Sequence, residues 1–129
     1  MLSARKSPNF KEVLFVVCAL GGLFFLNEFL VGFLGVVVRN SGASFGLNIG
    51  GLFLNIVVLI FLGWRVIWKE RNRWLLLVVL GGVLNIIDRM RFGFVRDYWY
   101  LAFGLYNNLA DWMIALGAGA FIISLWKKR

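Results

Sequence analysis

The chain alternates between long apolar runs and short stretches where polar and charged residues crowd together. The runs cover residues 13–30, 50–67, 74–88 and 109–126 and consist mainly of Leu, Val, Ile and Phe. A helix that crosses a bilayer needs about 20 predominantly apolar residues, and runs of this kind come close to that length. The pattern predicts an all-α integral membrane protein with four transmembrane helices in a single membrane domain spanning residues 1–129. The third run is the shortest, so its helix is expected to continue towards Asp88. The β-branched Val36-Val37-Val38 predicts a short extended segment in the loop after the first helix.

The positive charges then orient the bundle. The chain has fourteen Lys and Arg against six Asp and Glu. Ten of the fourteen lie in the amino-terminal lead-in, in the turn from Arg65 to Arg73, and in the tail Lys127-Lys128-Arg129. Basic residues stay on the cytoplasmic side, so both termini are expected there. Asn27, Glu28, the segment 40–45, Asp88, Asp97 and Asp111 then gather at the outer face. Trp64, Trp68 and Trp74 flank the basic turn, where indole rings favour the headgroup level. The first run reads as a helix that is kept, because no small-x-small cleavage site follows it and Phe15-Val16-Val17 before Cys18 lacks the small residue of a lipidation site. With 61% hydrophobic residues and a formal charge of +8 carried at the flanks of apolar runs, the charge belongs to membrane topology. No nucleic-acid partner is expected.

The chain has no His and one Cys. That excludes Ser-His-Asp and Cys-His nucleophile systems and any intrachain disulfide, and leaves carboxylates as the acid-base groups. Cys18, within an apolar run, is expected to be a buried small hydrophobe. Against this background Asp88, Asp97 and Asp111, with Asn85, Asn107 and Asn108, stand out, because an ionisable group close to hydrocarbon is costly and points to function. Asn85 precedes Asp88 by three residues and Asn108 precedes Asp111 by three, a helical spacing at which each amide could bond its own carboxylate or a substrate. Two carboxylates without His or a nucleophile suggest aspartic hydrolysis: one ionised Asp takes a proton from water while the other, kept protonated by its neighbour, gives one to the leaving amine. Such chemistry needs no cofactor and no metal. Asp111, near a helix amino end, is the expected ionised member. Spacing leaves open which two of the three Asp residues pair.

Plainer roles compete. Arg39, Arg89, Arg91 and Arg96 could neutralise the Asp residues or bind lipid phosphate, and Tyr98, Trp99 and Tyr100 fit an interfacial belt. A rival function is a small non-enzymatic membrane protein, an assembly partner or an oligomer whose Asp residues attract cations. An ion path would need polar groups continuing inward, yet the third and fourth runs are almost wholly apolar beyond Asn85 and Asp111. An inactive peptidase relative is a further alternative.

Three blocks carry a family resemblance: Asn40-Ser41-Gly42-Ala43-Ser44-Phe45 to an Asn-x-Gly-Ala-x-Phe motif; Gly81 to Arg89, followed by Gly93-Phe94-Val95-Arg96-Asp97-Tyr98; and Asn108-Leu109-Ala110-Asp111. Together they resemble the lipoprotein signal peptidases, or signal peptidase II, as a short form. The resemblance implies cleavage of diacylglyceryl-modified prolipoproteins before the lipidated cysteine, at the outer face of the bacterial inner membrane, with prolipoprotein and membrane lipids as partners. It implies Asp97 and Asp111 as the catalytic pair, Asp88 and Arg89 as a supporting pair, and Asn40, Gly42, Phe45, Asn85, Asn108 and Ala110 as supporting or substrate-positioning residues. Gly81, Gly82, Gly117 and Gly119 are expected to let helices approach closely. The chain departs from the family at the end of the first helix, where Asn27 and Val31 stand in place of the usual Asp and Lys with Glu28 alongside, in the brevity of the stretch 31–38, and at Arg96, where an apolar residue is usual. An Arg next to Asp97 would favour its ionised form.

Overall fold

The computed structural model describes residues 7–41, 50–67 and 72–127. Helix α1 spans Phe10–Leu34, α2 Gly50–Arg65, α3 Arg73–Phe92 and α4 Leu109–Trp126. Each of the three helices with a described cap residue is capped by Asn. Asn9 accepts from the Glu12 N–H at 2.9 Å while the Glu12 carboxylate accepts from the Asn9 N–H, closing a capping box. Asn72 and Asn108 accept from the N–H groups of Trp74 and Asp111 at the starts of α3 and α4. These side chains satisfy donors that a helix start leaves without partners.

The helices α3 and α4 form the most extensive contact. Leu80 and Leu84 pack on Ala110 and Met113, and Val16, Ala19, Leu20, Leu23 and Phe24 of α1 close over them. The α1 residues recur at three- and four-residue intervals, which puts them on one helix face. The opposite face carries Phe15, Phe25, Phe29 and Phe33, all exposed. Large apolar side chains outside, with polar groups concentrated inside, suit a surface solvated by lipid. By length and composition α1 and α4 are each apolar enough to cross a membrane. Cys18 is exposed on this outer surface rather than buried, because it lies off the packed stripe of α1.

Close approach depends on two glycines. A Cβ on Gly81 would lie 2.7 Å from the Ala110 carbonyl oxygen, and one on Gly117 would lie 2.7 Å from that of Trp74. Gly82 instead faces only the end of the flexible Leu59 side chain of α2, and Gly119 meets nothing within 4 Å. We expect Gly81→Ala and Gly117→Ala each to cost about 1–3 kcal/mol through overpacking against rigid backbone, with Gly119→Ala near neutral. Thermal unfolding of the three variants in detergent checks this.

The end of the bundle that holds the Asp residues is not purely helical, which corrects the all-α expectation. An extended segment follows α1, but it begins only at the last of the three valines: β1, Val38–Asn40, pairs antiparallel with β2, Val95–Asp97. A hairpin follows, of β3, Trp99–Ala102, and β4, Leu105–Asn107, turning at Phe103 and Gly104, both with positive φ. Helix α3 also runs a full turn past Asp88, ending where Gly93 takes φ +78° and its N–H bonds the Arg89 carbonyl. That left-handed residue, accessible to Gly without a Cβ clash, turns the chain back so that β2 lies against the end of α3.

Candidate active site

Strand β2 sorts its side chains by alternation. In the register Val38↔Asp97 and Asn40↔Val95, the side chains of Asn40 and Asp97 share one face, while Arg96 points to the other. Asn40 Nδ2 donates to Asp97 Oδ2 at 2.9 Å, the diagonal contact that such a pair permits. Asn108 Nδ2 donates to Asp97 Oδ1 at 2.8 Å and also lies 3.2 Å from Asn85 Oδ1. Asn85 Nδ2 in turn donates to Asp111 Oδ1 at 3.1 Å. Two amides, Asn108 of the α4 cap and Asn85 of α3, therefore tie Asp97 to Asp111, and Asn40 of β1 holds Asp97 from the other side.

Two contacts expected from the sequence take a different form. Asn85 bonds Asp111 across the helix interface rather than Asp88, because α4 approaches closely over Gly81. Asn108 is a cap in extended conformation, not a helical residue, so it accepts from the Asp111 N–H rather than bonding the Asp111 carboxylate. Ala110 is buried in the core beneath them. Gly42 and Phe45 lie outside the described residues.

Asp88 is also placed differently. Its partner is Arg96, not Arg89: Arg96 Nε and the Arg96 backbone N–H both donate to Asp88 Oδ2 at 3.1 Å, and Nη2 lies 2.7 Å from Oδ1. The same guanidinium reaches Glu28 of α1, which also receives Arg91 at 2.8 Å. Burial works against the charge on Arg96, but its hydrogen bonds to Asp88 and Glu28 outweigh that and hold it protonated. Arg96 thus fastens β2 to α3 and α1 and leaves Asp97 to its amides, so the expected pull of Arg96 on Asp97 gives way to a clamp. Consecutive residues on a helix point about 100° apart. Hence Asp88 faces β2 while Arg89 faces a cavity.

That cavity, of about 440 Å³, is lined by Asn40, Asn55, Asn85, Arg89 and Asp111 on its polar side. Leu59, Leu62, Val78, Gly82 and Ile114 are among its apolar walls. Asp97 stands behind Asn40 and Asn108 and is only 3% exposed. Burial pushes the Asp97 carboxyl up from the ordinary carboxylate range, the negative charge of Asp111 adds to this, and the hydrogen bonds from Asn40 and Asn108 and the charge of Arg89 oppose it. A carboxyl whose proton affinity is raised beside a second carboxyl is the arrangement from which a proton-sharing pair is built.

Two further residues take places that the sequence pattern does not mark. Tyr98 is not part of an interfacial belt: it is buried, donates to Asn27 Oδ1 at 2.7 Å and accepts from the Leu109 N–H at 3.0 Å. It braces α1 against the start of α4, whereas Trp99 and Tyr100 on the hairpin are exposed as expected. Asn55 was detectable as an amide within an otherwise apolar run.

Comparison with known proteins places these features in context. The profile of a family described as signal peptidase (SPase) II matches residues 11–127. Similar proteins include the lipoprotein signal peptidase of Halothermothrix orenii, 35% identical with 71% of this chain and 69% of that protein covered. That of Syntrophus aciditrophicus is 33% identical, with 82% and 80% covered. Two solved bacterial membrane enzymes share the fold. One has a TM-score of 0.72 at 20% identity, covering 97% of this chain and 99% of that one, and the other a TM-score of 0.67 at 22% identity, covering 95% and 92%.

Proposed function

The chain belongs to the signal peptidase II family, and from that premise we propose that it is an aspartic endopeptidase that removes the signal peptide of diacylglyceryl-modified prolipoproteins directly before the lipidated cysteine. The observation that carries the reading is the amide chain joining Asp97 and Asp111 beside a cavity polar on one side and apolar on the other. A lipidated peptide has the same division.

In this reading Asp111 is the base. It sits in the first turn of α4, where the helix dipole favours negative charge. It takes a proton from a water, whose oxygen adds to the scissile carbonyl carbon. Asp97, protonated, supplies the proton that the leaving nitrogen needs when the C–N bond breaks. Asn85 and Asn108 hold the two carboxyls in place, and Asn40 fixes Asp97 from the strand side. No covalent intermediate forms. The four helices cross the bacterial inner membrane with both termini cytoplasmic and the site at the outer face, a topology supported by the distribution of Lys and Arg and by the apolar exterior of the helices.

The pH profile of prolipoprotein cleavage in lipid vesicles tests the reading. Two coupled acids give a bell, and the rate falls on the alkaline side as Asp97 loses its proton. The Asn40 hydrogen bond favours ionised Asp97, so Asn40→Ala raises its proton affinity and moves the alkaline limb to higher pH. A profile with a single limb, or an alkaline limb that moves down, contradicts the assignment.

A further inference from the structure

Asn55 lies on α2 in a run where its neighbours along the same face are Val58, Leu59 and Leu62. Its Nδ2 is buried and has no hydrogen-bond partner among the described residues. A buried donor without an acceptor costs free energy, and a purely structural position would favour an apolar side chain. The residue lines the same cavity as Asp111, Asn85 and Arg89. Its depth follows from packing: Leu59 lies over Gly82. Asn55 is one helical turn from Leu59 towards the start of α2, and Asn85 is about one turn from Gly82 towards the end of α3. The two amides therefore stand level on facing helices. Asn85 is occupied by Asp111, while Asn55, which lines the same cavity, keeps an N–H without an acceptor among the described residues.

We infer that Asn55 is a substrate-binding residue that donates its Nδ2–H to a carbonyl oxygen of the bound substrate. This rests on the peptidase reading above and adds to it a contact from α2, an element to which no other substrate contact has been assigned. Its level with Asn85, at the depth of the carboxylate rather than of the apolar walls, favours a backbone carbonyl next to the scissile bond. An ester carbonyl of the diacylglyceryl group has the same acceptor chemistry and is the other source.

The test compares wild type with Asn55→Leu and Asn55→Ser, as full chains in lipid vesicles, on a dipalmitoylglyceryl prolipoprotein and on its dialkyl-ether analogue. Asn55→Leu is expected to lower kcat/KM by roughly tenfold, the size of one lost hydrogen bond to substrate. Asn55→Ser, which keeps a donor, is expected to lose less. Because the amide has no partner among the described residues, Asn55→Leu leaves Tm unchanged or raises it, whereas a structural amide would lower Tm. An equal loss on both substrates assigns the backbone carbonyl, and a loss confined to the ester substrate assigns the ester. Wild-type kcat/KM in Asn55→Leu, or a fall in activity that tracks a fall in Tm, overturns the inference. Absence of cleavage by the wild type overturns instead the peptidase reading on which it rests.

Discussion

Asp111→Asn and Asp97→Asn are each expected to lower prolipoprotein cleavage by about 10³-fold or more, the usual consequence of removing an essential acid or base. Both changes are nearly isosteric and leave the apolar core of Leu80, Leu84, Ala110 and Met113 untouched, so loss of activity comes with a folded protein. Asp97→Asn has a second, thermodynamic signature. The folded protein holds the Asp97 proton more tightly than the unfolded chain does. Protonated Asp97 therefore contributes most at low pH, and its contribution is lost as pH rises from the ordinary carboxylate range through the raised folded value. Wild type loses stability with rising pH over that window, and Asp97→Asn flattens the slope. Melting temperature against pH, measured for both proteins in detergent, reads this sign directly.

Asp88→Ala is expected to produce the largest loss of stability, about 3 kcal/mol or more, because it strands a buried guanidinium. The side chains of Asp88 and Arg96 are 6% and 9% exposed, and the pair is joined by the Arg96 backbone N–H as well as by the guanidinium. Replacing both by apolar residues of similar size should cost much less, since desolvation of the charges is then removed together with their attraction. Glu28 is 31% exposed on its side of the network, so Glu28→Gln is expected to cost below about 1 kcal/mol. Thermal unfolding of the single and double variants separates these outcomes. If Asp88→Ala melts like wild type, the clamp does not hold β2 and the placement of Asp97 needs another explanation.

Much of this organisation was legible in the chain. Apolar runs marked the helices, and the fourth, at residues 109–126, coincides with α4, because Asn108 caps its start and the basic tail follows its end. Of the polar residues that line the cavity, Asn40, Asn85, Arg89 and Asp111 were visible as polar groups where the hydropathy pattern had no need of them, whereas Asn55 was hidden within an apolar run. What was illegible depended on contacts between distant segments. Strands β2 to β4 are three or four residues long, too short for alternation to declare itself, and β2 is stabilised by pairing with a strand more than fifty residues earlier. Arg96 looked like a neighbour of Asp97 because adjacency in sequence was all that could be seen. Strand alternation sends it to Asp88 and Glu28. The same holds for Asn85 and Asp88, where helical spacing suggested a local bond and the approach of α4 supplied a different acceptor.

The most direct test of the central claim, that Asp97 and Asp111 together drive hydrolysis of a lipidated prolipoprotein, is the intact mass of that substrate after incubation with the full chain in lipid vesicles. The account predicts a product that begins at the diacylglyceryl cysteine, formed by wild type and absent with either Asp→Asn variant. Substrate left uncut by the wild type, cut at another bond, or cut normally by Asp97→Asn or Asp111→Asn, would contradict it.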